Sequence, residues 1–139
     1  MMRAWLGALL GMMLSLPGQA EQMKEVGPWN VHYSAFASSF LTPEVATQYQ
    51  VERSRYNGII NIAVQDKQGI PQSVGITGEA RNLTGTVRPL SFREVREGKA
   101  IYYLAELPYR NEDTYRITLT LMGNGQRWPL EFQHTFYVE

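Results

Sequence analysis

The sequence predicts an all-β domain: a seven-stranded antiparallel β-sandwich of the immunoglobulin/fibronectin-like kind, with one short helix between its first two strands. Three observations predict it. Apolar residues recur with a period of two through most of the chain, turn signals separate the alternating runs, and a helix-start signal occurs in one place.

The first twenty residues stand apart from that pattern. Arg3 precedes Ala4–Leu16, 13 residues without a charge, and the small residues Gly18 and Ala20 occupy the −3 and −1 positions before Glu21. This is a secretory signal pattern, and the apolar run falls short of the roughly 20 residues that a membrane span takes. Cleavage before Glu21 and a periplasmic product, residues 21–139 as a single sandwich domain, are therefore expected. That product holds 12 basic and 13 acidic side chains and no Cys. Disulfides, thiolate metal sites, thiol nucleophiles and an acylated Cys anchor are excluded together. The charge balance also argues against a nucleic-acid partner, which requires an excess of Lys and Arg to displace counterions.

The strands follow in order. Trp29, Val31 and Tyr33 share one face of the first, with Asn30, His32 and Ser34 on the other. Gly58–Gln65 is the second, with Ile60, Ile62 and Val64 as its better inward set. After the turn at Asp66–Gly69, Val74, Ile76 and Ala80 mark a third strand, and Val87–Val95, anchored by Leu90 and Phe92, a fourth. Glu97-Gly98-Lys99 turns the chain into Ala100–Glu106. Tyr115, Ile117, Leu119 and Leu121 alternate with polar residues in the sixth strand, and Gly123-Asn124-Gly125 leads into the seventh. There Trp128, Leu130, Phe132, His134 and Phe136 face one way. Ile117 and Phe132, as mid-strand members of apolar sets, are expected to be buried. Tyr115, opening its strand after a polar corner, resembles a tyrosine corner, although an ordinary core tyrosine is the simpler reading of so short a match.

Ala37–Asn57 is the exception, with no clean alternation and a length unusual for a sandwich connection. Thr42-Pro43-Glu44 supplies an N-cap, a proline at N1 and an acid in the first turn, which predicts a helix from Pro43 to about Tyr49. Val45 and Tyr49 share one of its faces. Arg53, Arg55 and Tyr56 follow, a combination suited to anionic or carbonyl-bearing partners through forked hydrogen bonds and stacking. The plainer alternative is that Val45, Tyr49 and Tyr56 plug one end of the sandwich while the arginines stay in water.

The string from Asn30 to Asp66, most specifically NVHY, FLTPEVA and RSRYNG, resembles a family of short exported bacterial proteins known only as a domain of unknown function. The resemblance implies an extracytoplasmic β-rich domain and transfers no catalytic residues. The stretches Asp66–Leu83 and Tyr115–Phe132 are similar in layout to immunoglobulin-like periplasmic modules.

Motif-borne chemistry is absent: there is no Gly-x-Ser-x-Gly elbow, no phosphate loop and no His-Glu-x-x-His pair. The leading expectation is a non-enzymatic binding or accessory module without a cofactor, its partner another extracytoplasmic protein, with Arg53, Arg55 and Tyr56 as candidate binding residues. The alternative is a periplasmic copper carrier using His134, His32 and the methionines Met23 and Met122, since copper favours imidazole and thioether donors. Strand parity opposes a site shared by the two histidines, because it directs them to opposite faces. An enzyme is the third reading.

Overall fold

The described residues form nine strands, two more than expected. A computed structural model of the protein describes residues 21–138; the signal segment expected at residues 1–20 lies outside the described residues. The strands are β1 (Gln22–Val26), β2 (Trp29–Ala37), β3 (Asn57–Gln65), β4 (Gly75–Asn82), β5 (Val87–Leu90), β6 (Arg93–Glu97), β7 (Ala100–Pro108), β8 (Asp113–Gly123) and β9 (Gln126–Phe136). They build two antiparallel sheets, ordered β1-β2-β3-β7-β6 and β5-β4-β8-β9.

The count of seven is corrected at two places. Val87–Val95 is two strands, since β5 pairs with β4 in one sheet and β6 with β7 in the other. Leu90 and Phe92 both enter the core, so the chain crosses between sheets at its two apolar anchors. Pro89 falls in an edge strand, where its missing N–H breaks no ladder. β1 carries no apolar alternation because four of its five residues are exposed. Backbone pairing with β2 through the Gly27-Pro28 hairpin holds it. Gly27 has φ +57°, and a Cβ there would lie 2.4 Å from the Trp128 ring, so glycine alone fits.

The main core fills the space between the sheets. The expected inward residues of β3, Ile60, Ile62 and Val64, are no more than 1% exposed, and Ile117 is fully buried. Tyr115 is buried too, and its hydroxyl donates to Pro108 O at 3.0 Å across the β7–β8 corner. That is the backward tie a tyrosine corner makes. Phe132 departs from expectation. It lies on edge strand β9, stays partly exposed and packs against Tyr33 with ring centroids 4.5 Å apart.

β3 is buried on both faces. Its outward side chain Ile59 joins Phe36 of β2 and Leu104 of β7 in a second apolar cluster, completed by Leu41, Val45, Ala46, Tyr49 and Val51 of the insert. The helix α1 (Pro43–Gln48) forms where expected, with Thr42 Oγ1 accepting from Val45 N at 3.2 Å. The insert therefore does not plug an end of the sandwich. It lies over the outer face of the five-stranded sheet, because that face is apolar at β2, β3 and β7 and must be covered. Polar ties fix it there: Tyr49 Oη and Gln48 Nε2 donate to Glu97 Oε1 at 3.2 and 2.7 Å, and Glu52 N donates to Glu106 Oε1 at 3.0 Å.

In urea unfolding, Ile117→Ala is expected to cost about 2–5 kcal/mol and Leu41→Ala, in the second cluster, a comparable amount. Phe132→Ala should cost less than either, and Thr118→Ala, on the exposed face of β8, roughly half a kcal/mol or less. A negligible cost at Leu41 would mean that the insert does not stabilise the sheet beneath it.

Candidate functional site

The root of the insert meets the end of β9 around a small pocket of about 60 Å³. Three legs of chain build it. The end of β2 and the start of the insert bring Phe36 and Phe40, the return leg brings Arg55, and β9 brings His134 and Phe136. Ser38 ties the two legs of the insert together, its fully buried hydroxyl donating to Glu52 O at 2.8 Å and accepting from Ser54 N at 2.9 Å. The Phe136 ring stacks on Tyr109 at 4.4 Å and passes over Gly58, where a Cβ would lie only 2.6 Å from Cε1. Phe40 and Tyr137 form an aromatic rim, 48% and 60% exposed.

The expected binding residues are divided by the fold. Arg55 lines the pocket. Arg53 instead clamps the insert, its Nε donating to Leu41 O at 2.7 Å and its Nη2 to Ser39 O at 3.1 Å. Tyr56 is an exposed side chain whose carbonyl accepts from Tyr109 N at 2.9 Å. The sequence marked Arg55 and His134 separately but not their meeting, and it did not mark Phe40 or Tyr109, because these residues come together only through the β2, β7 and β9 ends.

The histidines are not brought together. His134 packs edge-on against Phe136 at 4.6 Å beside the pocket, whereas His32 lies on the outer face of the other sheet with Nδ1 3.1 Å from Glu21 Oε1. Burial holds the His134 imidazole below its ordinary pKa, so it is neutral at pH 7 and offers one donor and one acceptor. Met23 is the cross-strand partner of His32, while Met122 belongs to the four-stranded sheet beside Gly75. Among the described residues no group of three or more His, Cys, Asp or Glu could hold a metal ion. Nor, among them, is any helix long and apolar enough to cross a membrane.

Two antiparallel sheets with one short helix define an all-β domain of the sandwich class. The chain belongs to the family described as a domain of unknown function, DUF4426, which matches residues 23–139. The family resemblance read at Asn30–Asp66 is thereby confirmed. A DUF4426 family protein of known crystal structure from Pseudomonas aeruginosa PAO1 is 38% identical, with a TM-score of 0.77 over 86% of this chain and 96% of that one. FetP of uropathogenic Escherichia coli strain F11 is 11% identical, with a TM-score of 0.55 over 85% of this chain and 93% of FetP. A copper-bound variant of FetP gives a TM-score of 0.54 at 11% identity, over 85% and 89% of the two chains. At that identity the likeness concerns the fold alone. No curated protein matches the sequence.

His134 makes stability depend on pH with a definite sign. Its folded pKa lies below the value near 6.5 that an unfolded chain shows, so the unfolded chain takes up a proton first on acidification. Its stabilising share is complete above about pH 6.5 and is lost as pH falls towards the folded value. Urea midpoints at pH 7 and pH 5 should therefore differ less in His134→Gln than in the natural chain. An equal difference in both would contradict the burial of His134.

Proposed function

We propose that the protein is an exported, non-enzymatic binding module of the periplasm, and that the Arg55–His134 pocket is where it engages a partner protein. The signal pattern before Glu21 supports export. The order β2-β3-β7-β6 against β5-β4-β8-β9 corresponds to A-B-E-D against C′-C-F-G, which with the Tyr115 tie supports an immunoglobulin-like layout. The observation that carries the binding reading is the pairing, in one pocket, of a guanidinium and a neutral imidazole beneath exposed aromatic side chains. Guanidinium forks recognise carboxylates and carbonyls, and aromatic rims supply rigid contact area at little entropic cost.

Size sharpens the reading. Pockets that hold cofactors or other small molecules run to about 300–1,000 Å³, and this one is about 60 Å³. It suits a single side chain or a chain end of a partner rather than a free small molecule. Among the described residues no Asp or Glu lines it, and no carboxylate among them orients His134 as triad chemistry orients an imidazole base.

The test separates the two arginines. Folded Arg55→Ala, with its folded fraction checked by urea unfolding, should fail to recover crosslinked periplasmic partners. Arg53→Ala should cost about 1 kcal/mol, through the lost clamp on Leu41 and Ser39, while a folded population still recovers partners. Unchanged recovery by the folded population of Arg55→Ala would overturn the proposal.

A further inference from the structure

Outside the pocket, one constellation gathers soft and borderline metal donors. In the β1–β2 hairpin Met23 stands directly opposite His32, and directly opposed residues on one face of an antiparallel pair have Cβ atoms about 4.5–5.5 Å apart. Glu21, two residues before Met23 on the same face, reaches His32 Nδ1 at 3.1 Å. A carboxylate on one ring nitrogen fixes the tautomer and leaves the other nitrogen with its lone pair, which is how metal-binding histidines are held. The face is open at this edge: Met23 is 50% exposed and the His32 side chain 27%. The surroundings are anionic, with Glu25 next along β1 on the same face. Lys67 is drawn to Glu25 at 4.0 Å and donates to Asn30 Oδ1 at 3.1 Å, and Lys24 donates to Glu131 O at 2.7 Å. The Tyr102 hydroxyl is held protonated above its ordinary pKa by burial, then by the charges of Glu21 and Glu97.

The donor set selects the ion. Zinc takes four nitrogen, sulfur-anion or oxygen ligands in structural sites, and no group of three His, Cys, Asp or Glu exists among the described residues. A thioether is a soft donor that selects monovalent copper, and the imidazole beside it is a donor that copper also accepts. We infer that the β1–β2 edge is a copper(I) site, with His32 Nε2 and Met23 Sδ as ligands and Glu21 orienting the imidazole. The site is independent of the Arg55 pocket, which lies at the β9 end and contains neither residue. No electron transfer is involved; copper(I) binds and leaves as copper(I).

The test is an anaerobic titration of copper(I) into the purified full-length product of an exporting host, in competition with a chromophoric chelator. Silver(I), a diamagnetic stand-in, is followed by NMR at the methionine methyls and histidine rings. One equivalent of copper(I) should bind. Met23→Leu and His32→Ala should each weaken binding more than about tenfold, and Glu21→Gln by about tenfold, as the loss of an orienting partner does elsewhere. Silver(I) should move the signals of Met23 and His32 and leave those of Met122 and His134 in place. Unchanged copper(I) affinity in Met23→Leu, or silver(I) shifts at Met122 and His134 instead, would overturn the inference. Should His32→Ala fail to fold, Met23→Leu and the NMR of the natural chain decide the matter alone. Loss of copper(I) binding with partner recovery intact would leave the pocket reading untouched.

Discussion

The architecture depends on one constraint: β3 is apolar on both of its faces, and both must be kept from water. Seven of its nine residues are buried. Ile60, Ile62 and Val64 meet the four-stranded sheet, as a sandwich requires. Ile59, on the reverse side with Phe36 and Leu104, faces away from that core. Fully burying such a side chain is worth about 1.5–3 kcal/mol, which is large against a net stability of roughly 5–15 kcal/mol. A second layer is therefore needed, and the insert supplies it. The 21 residues between the first two strands of the sequence pattern are the cover of the sheet that those strands build.

That cover sets where the pocket forms. Packed on the outer face, the insert must start and finish near the ends of β2 and β3, and Ser38 joins its two legs at that point. Phe40 and Arg55 are thereby delivered beside the last residues of β9. Tyr109 and Phe136 stack beneath them because Gly58 leaves room for the ring. Burial of apolar surface thus fixes the fold, and the polar groups of the site sit at the margin of that burial. There Arg55 remains exposed and His134 is only partly covered.

Legibility in the sequence followed the physics of each element. β8 and β9 face the core on one side and water or polar neighbours on the other, and β2 and β7 do so away from Phe36 and Leu104, so their alternation announced them. β1 was silent because an exposed edge strand is held by backbone hydrogen bonds, which any side chains permit. β5 and β6 looked like one strand because Leu90 and Phe92 keep the same parity across the step between sheets. Asn57-Gly58 carried a turn signal yet opens β3, since the turn is completed just before it. The near-continuous apolar run of β3 held the clue to the second cluster: a strand with one wet face has no use for both Ile59 and Ile60. Of the site, Arg55 could be singled out by composition and His134 by parity. Their meeting required the placement of the insert, which no local pattern encodes.

If the insert is the cover that β3 requires, the two must open together. Native-state hydrogen exchange measures this at single amides. The N–H groups of Tyr49 and Val51, which donate to Val45 and Ala46 carbonyls, should exchange only through openings as costly as those exposing the amides of Ile60 and Ile62. Exchange of Tyr49 and Val51 through cheap local openings, with β3 still fully protected, would contradict the account.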